Sequence, residues 1–234
     1  MDLINYFDLE LRKTHLNERD LYRLMGYGDH IPSEDILQVI DEMLSEIITF
    51  CTPRCGYKIC TGKRVSKIQI EVDGISMTPG AIISSAMREA EYIAVFTSTL
   101  GRQFDDWMKS IQLKDNIMHD FIANSLGSIL AEGVTNELMN ILSAEAENLG
   151  LKISNNYSPG YCSWVLTEQE LLFSILPNEV PGITLTESCL MLPIKSVSGI
   201  VAIGNNVKKR PYGCSVCNMK KMCNMSKFTF DSNL

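Results

Sequence analysis

A polar loop late in the chain contains the residues best suited to hold a small ligand. The loop spans 154–161 and ends in Ser158, Pro159, Gly160 and Tyr161. Pro159 fixes its own φ angle, and Gly160 permits a positive φ and a close backbone approach. Backbone amide and carbonyl groups in such a loop can meet a planar ligand, with the ring of Tyr161 beside it. The sequence therefore predicts a ligand-contacting loop.

A second group of polar side chains interrupts segments that otherwise look like apolar strands. Thr186, Glu187 and Ser188 lie in one such segment, and the strand predicted over 196–203 begins Ser-Val-Ser-Gly. Burying polar groups without hydrogen-bond partners is unfavourable. We therefore expect these side chains either to be satisfied within the fold or to be turned toward a binding site.

The familiar catalytic motifs are missing from the chain. It contains no GxGxxG, GxxxxGK[ST], HExxH or GxSxG sequence, and these patterns accompany nucleotide binding, zinc proteolysis and serine hydrolysis. The three histidines, His15, His30 and His119, are far apart in the sequence. The sequence therefore favours neither a histidine-based metal site nor a Cys–His nucleophile.

The eight cysteines fall into uneven groups, and the last group has the spacing of metal ligands. Cys214 and Cys217 form a CxxC pair, and Cys223 follows in the same Lys- and Met-rich segment. A CxxC pair with a third cysteine nearby suits Zn²⁺ or an iron–sulfur cluster. Four ligands are usual, so a fourth would come from an earlier group: Cys51, Cys55 or Cys60. The alternative is a reduced tail that binds no metal.

Helices and strands alternate along the chain, and they must position these residues. Residues 115–149 carry the longest helical pattern, which Gly127 and Gly133 interrupt. Close packing against a neighbour explains those two glycines better than room for a ligand does. Residues 92–97 are apolar, aromatic and β-branched, which predicts a buried strand. Asp-Gly and Pro-Gly turns among these elements favour an α+β fold over a regular βαβ series.

Two shorter signals complete the secondary structure. Asn17 is placed to cap a helix that begins at Glu18. Thr167-Glu168-Gln169-Glu170 has the form of a capping box and predicts a short helix through 175.

We divide the chain into three parts on this pattern. Residues 1–50 are predicted as a helical segment, residues 51–204 as the main domain, and residues 205–234 as a Cys-rich tail.

Composition narrows the class of protein. The chain has 234 residues and a formal net charge of −7, so it lacks the basic field that nucleic-acid binding needs. No apolar run approaches the roughly 20 residues of a membrane-spanning helix, and the N-terminus has no signal-peptide pattern. These features predict a cytoplasmic protein with neither nucleic acid nor membrane as partner.

Several motifs occur together in the order of a known family. They are the Ser-Pro-Gly-Tyr loop, the Leu-Thr-Glu-Ser stretch from Leu185, the Ser-Val-Ser-Gly stretch from Ser196, and the helix containing Glu132. In these motifs the chain resembles the activation domain of vitamin B12-dependent methionine synthase, and still more its free-standing single-domain relatives. The resemblance covers roughly 36–204. It implies an α+β fold with a curved, mainly antiparallel sheet packed with helices, including one long helix.

The resemblance also implies a function. The chain would be an accessory protein for reductive reactivation of a corrinoid (cobalamin)-dependent methyltransferase, such as a methionine synthase lacking its own activation domain. S-adenosylmethionine would supply the methyl group, the partner would carry the cobalamin, and an electron donor protein would deliver one electron. The chain itself would need no nucleophile or general base, and would contribute positioning and exclusion of water.

Residue by residue, the resemblance implies a binding site for S-adenosylmethionine. Glu132 matches an acidic helix residue near the ligand's charged sulfonium and amine, and the alternative is an exposed helix carboxylate. Tyr161 would contact the corrinoid and act in catalysis, and the alternative is a ring that packs the loop onto the core. The other implied binding residues are Asn156, Ser158, Pro159, Gly160, Thr186, Glu187 and Ser188.

One departure from the family pattern keeps a second function open. The family usually has an arginine two residues before the serine of the loop, paired with the ligand's carboxylate, and here that position is Asn156. A charged bidentate contact becomes at best a neutral hydrogen bond. The second hypothesis is a redox or metal/iron–sulfur binding module on the same scaffold that has lost S-adenosylmethionine binding.

Overall fold

The computed structural model describes residues 3–176 and 182–210. The predicted metal ligands Cys214, Cys217 and Cys223 lie outside these residues, so that prediction has no structural test here.

Short strands and helices alternate along the described chain. The strands are β1 (Leu3–Asp8), β2 (Arg54–Cys60), β3 (Gly62–Arg64), β4 (Ile70–Val72), β5 (Ile75–Met77), β6 (Tyr92–Thr99), β7 (Lys152–Ile153), β8 (Thr184–Leu185), β9 (Met191–Leu192) and β10 (Ser196–Gly204). The α-helices are α1 (Glu18–Leu24), α2 (Glu34–Phe50), α3 (Gly80–Ala86), α4 (Arg102–Gln112), α5 (Ile117–Asn148) and α6 (Gln169–Ile175). Single 3₁₀ turns cover Leu11–Lys13 and Leu166–Glu168.

A curled, five-stranded antiparallel sheet carries the fold. Its strand order is β1-β2-β6-β10-β7, and each neighbouring pair is antiparallel. The central strands β6 and β10 pair from Thr99 opposite Ser196 to Tyr92 opposite Ile203. Separate small sheets are formed by β3-β4-β5 and by the hairpin β8-β9. The α+β fold with a curved antiparallel sheet and one long helix is confirmed.

Each face of the large sheet has its own apolar core. Val201 and Ile203 of β10 belong to a core shared with α1, α2, α4 and α5. Ile200 and Ala202, which alternate with them, belong to a second core shared with β4, β5, α3 and α6. Because both faces are covered, every residue of β6 after Tyr92 is buried, as its apolar sequence predicts.

The long helix α5 fits closely against its neighbours at the two glycines that interrupt its pattern. A Cβ on Gly127 would lie 2.6 Å from the ring of Phe104, and one on Gly133 would lie 3.0 Å from the carbonyl oxygen of His15. Close packing is therefore confirmed at both glycines. The predicted cap of α1 is confirmed as well, because Asn17 accepts a hydrogen bond from the amide of Asp20.

The structure differs from the sequence prediction in the first 50 residues and at the start of α6. Residues 1–50, predicted as helical, also contain β1, an edge strand that is stabilised by pairing with β2 rather than by a strong local pattern. The capping box is wrong: Thr167 lies within the 3₁₀ turn Leu166–Glu168, and α6 begins at Gln169 with no side-chain hydrogen bond from its N-cap. The boundaries of the three proposed parts of the chain stay a prediction. Among the described residues, none of the helices has the length and apolarity needed to cross a bilayer.

A buried tyrosine links the sheet to α5 and leads to a prediction about pH. Tyr57 donates a hydrogen bond to the Glu145 carboxylate and accepts one of 2.6 Å from Asn5. Burial, reinforced by Glu145, raises the pKa of Tyr57 to about 12, against about 10 in an unfolded chain. Because the folded pKa is higher, this stabilisation is complete below pH ~10 and is lost as pH rises toward ~12.

We therefore expect the free energy of unfolding to fall less steeply between pH 10 and 12 in Tyr57→Phe than in the wild type. Urea unfolding across that range measures the slope. Tyr92→Phe, which removes a hydroxyl from a half-exposed ring, is the control and should behave like the wild type. Equal slopes in all three proteins would show that the raised pKa of Tyr57 does not cause the loss of stability at high pH.

Candidate functional site

The predicted ligand loop leaves the edge of the large sheet beside β10. Tyr157 and Ile200 exchange two backbone hydrogen bonds of 3.0 and 2.8 Å. A Cβ on Gly199 would lie 2.3 Å from the carbonyl oxygen of Tyr157, so only glycine allows this approach. Asn156, half-buried, immediately precedes this contact. The close approach of the two backbones therefore explains the glycine of the Ser-Val-Ser-Gly stretch.

Residues 158–161, called the SPGY loop below, form a tight turn with an exposed aromatic tip. Ser158 is half-buried and Pro159 is buried, while Gly160 has a φ of +91°, as its type predicts. The side chain of Tyr161 is 70% exposed. That exposure argues against the alternative in which Tyr161 packs the loop onto the core.

Residues 186–188, called the TES turn below, do not lie in a strand. Strand β8 ends at Leu185, and the predicted strand through Thr186, Glu187 and Ser188 is wrong. The Thr186 hydroxyl accepts from the amide of Leu190 at 3.1 Å and lies 3.0 Å from the Ser188 hydroxyl. These two hydroxyls close the turn between β8 and β9, while Glu187 is exposed.

The strand β10 begins with a polar contact that fixes its end. The Ser196 hydroxyl lies 2.7 Å from that of Thr99 on β6 and 2.6 Å from the carbonyl oxygen of Pro193. Ser198 is 2% exposed and faces Thr97 across the pair of strands. The Ser196 hydroxyl is therefore hydrogen-bonded within the fold, which is one of the two outcomes predicted for these polar side chains.

Glu132 lies in a polar pocket between α5 and the segment that leads into α1. The pocket has a volume of about 220 Å³ and is lined by His15, Asn17, Asp20, Ile129, Glu132, Gly133, Asn136, Glu137 and Asn140. Its three carboxylates give it the electrostatic character that favours a cation. The signal in the sequence is the four-residue spacing of Glu132, Asn136 and Asn140, which places them on one helix face.

The two polar loops do not contribute to the lining of the Glu132 pocket. No residue of 156–161 or 186–188 lines this pocket. A single cleft shared by the loop, the helix and the TES turn stays a prediction.

A short segment that the sequence predicted only as a helix cap contacts both the SPGY loop and the residue that follows the TES turn. The carbonyl oxygen of Trp164 accepts from the amide of Gly160 at 2.8 Å. The Trp164 indole donates to Glu168 at 2.7 Å, and the buried Gln169 donates to the carbonyl oxygen of Cys189 at 3.1 Å. In the sequence, the only sign of this segment's importance was the pattern read as a capping box. In the structure, its polar side chains form hydrogen bonds with residues outside α6 instead of capping that helix.

The hairpin that carries the TES turn is also held at its far end. The amide of Ile194 donates to Asp105 at 3.0 Å. Lys195 donates to the side-chain oxygen of Asn124 at 2.8 Å and to Ser128 at 2.9 Å. Burial lowers the pKa of Lys195, and the nearby Asp105 carboxylate opposes this shift. Helices α4 and α5 therefore fix the chain between β9 and β10.

The first group of cysteines has the environment of structural thiols. Cys51, Cys55 and Cys60 are buried, and burial raises the pKa of Cys51 and of Cys55 to about 12. A metal ligand must be a thiolate, which burial disfavours. Within residues 3–176 and 182–210, no group of three or more His, Cys, Asp or Glu side chains is placed to hold a metal.

Comparison with known proteins gives two matches. The family described as "Vitamin B12 dependent methionine synthase, activation domain" matches residues 80–225. The fold is similar to a solved structure, the "Crystal Structure of the MetH Reactivation Domain bound to AdoHcy". The TM-score is 0.67 at 16% sequence identity, over 90% of this chain and 80% of that chain. No curated protein sequence matches the chain.

Proposed function

The chain belongs to the family of the vitamin B12-dependent methionine synthase activation domain, and from this we propose that it reactivates a separate corrinoid-dependent methyltransferase with S-adenosylmethionine as methyl donor. The observation that carries the proposal is the family match over residues 80–225. The fold similarity to a reactivation domain bound to AdoHcy supports it.

The proposed reaction needs neither a nucleophile nor a general base from this chain. The partner's corrinoid, once reduced by an electron donor protein, would supply the nucleophile that takes up the methyl group of S-adenosylmethionine. The methyl–sulfur bond breaks, and its electron pair stays on sulfur in S-adenosylhomocysteine. Since the substrate already carries its leaving group, this chain's residues need only bind, orient and exclude water.

The Glu132 pocket is our candidate for the positively charged end of S-adenosylmethionine. Asp20, Glu132 and Glu137 line it, and carboxylates stabilise a neighbouring sulfonium or amine. The SPGY loop and the TES turn are the candidate contacts for the rest of the ligand and for the corrinoid. Tyr161 is the catalytic candidate because its ring is 70% exposed on a tightly bonded turn.

A direct experiment tests the proposal. The protein, purified without oxygen, is titrated calorimetrically with S-adenosylmethionine and then added to an inactivated corrinoid methyltransferase with an electron donor. We expect saturable binding and recovery of methyltransferase activity that needs all components. Binding without recovery, or recovery without S-adenosylmethionine, would overturn the proposal.

A second candidate function is a redox or metal module on the same scaffold. It is favoured by Asn156, which replaces the family's usual arginine, and by Cys214, Cys217 and Cys223 in the tail. Zinc and iron analysis of the same anaerobic preparation separates the two functions. Stoichiometric metal with no S-adenosylmethionine binding would favour this second function.

Replacing Glu132 by glutamine is expected to weaken S-adenosylmethionine binding about fivefold. The change keeps the side chain's size but removes a charge from an exposed position of α5, where a charge pair is worth up to ~1 kcal/mol. Calorimetry measures the affinity. Glu147→Gln, an exposed carboxylate near the end of α5, is the matched control and should bind like the wild type. Wild-type affinity in Glu132→Gln would remove Glu132 from the site.

A further inference from the structure

We propose that Glu168 and Gln169 are positioning residues that hold the SPGY loop and the TES turn in one fixed arrangement. The inference rests on the proposed function, in which both segments serve the same reaction. Neither residue belongs to the predicted site, and both lie at the start of α6.

Glu168 fixes the base of the SPGY loop. Its carboxylate accepts from the Trp164 indole at 2.7 Å, from the amide of Thr78 at 2.8 Å and from the Thr78 hydroxyl. Trp164 is 1% exposed, and its own carbonyl oxygen and amide bond to Gly160 and Tyr161. Glu168 therefore connects the loop, through one buried ring, to the junction between β5 and α3.

The backbone of this loop needs such support. Cys162 and Ser163 have φ angles of +51° and +71°, next to Gly160 at +91°. Non-glycine residues adopt these angles rarely and at a cost. Contacts from the surrounding structure therefore help to hold this backbone, and the Trp164–Glu168 hydrogen bond is one of them.

Gln169 fixes the TES turn from the next position in the chain. Its side chain is 3% exposed and donates to the carbonyl oxygen of Cys189 at 3.1 Å. The amide of Cys189 in turn donates to the carbonyl oxygen of Thr186 at 2.9 Å, which closes the turn. Cys189 has a φ of +60°, so this turn also depends on an outside contact.

Two consecutive residues thus reach two different segments. Because Glu168 and Gln169 are adjacent in the backbone, a displacement of either one moves the other. The SPGY loop and the TES turn are therefore coupled mechanically, although no hydrogen bond between them is needed.

The experiment compares the full-length variants Glu168→Ala and Gln169→Leu with the wild type. Amide hydrogen exchange by NMR reports on Gly160, in the loop, and on Cys189, at the turn. We expect each variant to speed exchange about tenfold at both amides while that of Val95, in β6, stays unchanged. The Trp164 indole signal should shift in Glu168→Ala, and it is easily assigned because the chain has only two tryptophans.

The reactivation assay is the functional arm of the same experiment. Both variants should lower the maximal rate of reactivation about tenfold, since misplacement by about 1 Å can cost up to ~100-fold. Glu168→Gln, which keeps the size and one acceptor oxygen, should recover part of that loss. The exposed change Glu147→Ala serves as control.

The outcomes separate this inference from the proposed function. Exchange that changes only in each variant's own segment, or in neither, overturns the coupling, and so does loss of Val95 protection, which would mean general unfolding. Coupled exchange with wild-type reactivation overturns the positioning role. A wild-type protein that reactivates no corrinoid methyltransferase overturns the proposed function, and the exchange data still decide the coupling.

Discussion

Replacing Tyr161 with alanine is expected to lower the rate of reactivation about 100-fold while leaving the fold intact. The ring is exposed on a turn whose backbone is fixed at Gly160 and Trp164, so it can lie against the corrinoid of a docked partner and displace water from the metal. Loss of such positioning can cost ~100-fold. The assay is recovery of methyltransferase activity with a partner corrinoid protein and an electron donor.

Two further variants show whether the ring itself is responsible. Tyr161→Phe keeps the ring and should retain most of the activity. Val165→Ala removes another exposed apolar side chain from the same region and should have little effect. S-adenosylmethionine affinity should be that of the wild type in all three proteins. Wild-type reactivation by both Tyr161→Phe and Tyr161→Ala would remove Tyr161 from the mechanism.

Replacing Asn156 with arginine is expected to strengthen S-adenosylmethionine binding by about 10- to 150-fold. A charge-assisted hydrogen bond to the ligand's carboxylate contributes roughly 1.5–3 kcal/mol. Asn156 is half-buried beside the contact between Tyr157 and β10, where the backbone is fixed. Calorimetric titration of the variant and the wild type measures the difference.

A second substitution at the same position, with the same charge but a different shape, provides the control. Asn156→Lys adds the same charge without the planar fork that grips a carboxylate with two bonds, so its gain should be smaller and more sensitive to salt. Unchanged or weaker affinity in a well-folded Asn156→Arg protein would show that position 156 does not face the ligand's carboxylate.

The sequence predicted the elements that carry a strong pattern in their own residues. Strand β6 is a run of β-branched and aromatic residues, α5 has a sustained helical pattern, and Asn17 caps α1 as expected. Strand β1 could not be predicted in this way, because its stability comes from pairing with β2, about 50 residues later in the chain.

The candidate site also contains features that depend on nearby residues, which the sequence predicts, and features that depend on distant residues, which it does not. Gly160 adopts the positive φ that its type suggests, because a turn's conformation depends on its own residues. The apolar context of Thr186 predicted a strand, but the hydroxyl closes a turn. The role of Glu168 depends on Thr78, 90 positions away, and no local pattern carries that information.

The order of strands in the large sheet has a consequence for synthesis on the ribosome. Strand β6 pairs with β10 along its whole length, with Thr99 opposite Ser196, so its partner emerges only after about 100 further residues. Until then β6, one of the most apolar segments of the chain, has an unpaired edge, which is a condition that promotes aggregation of nascent chains. Contacts this distant in sequence also slow folding. We therefore expect truncations that end before β10 to be insoluble. The intact chain should complete the sheet only once β10 has emerged from the ribosome.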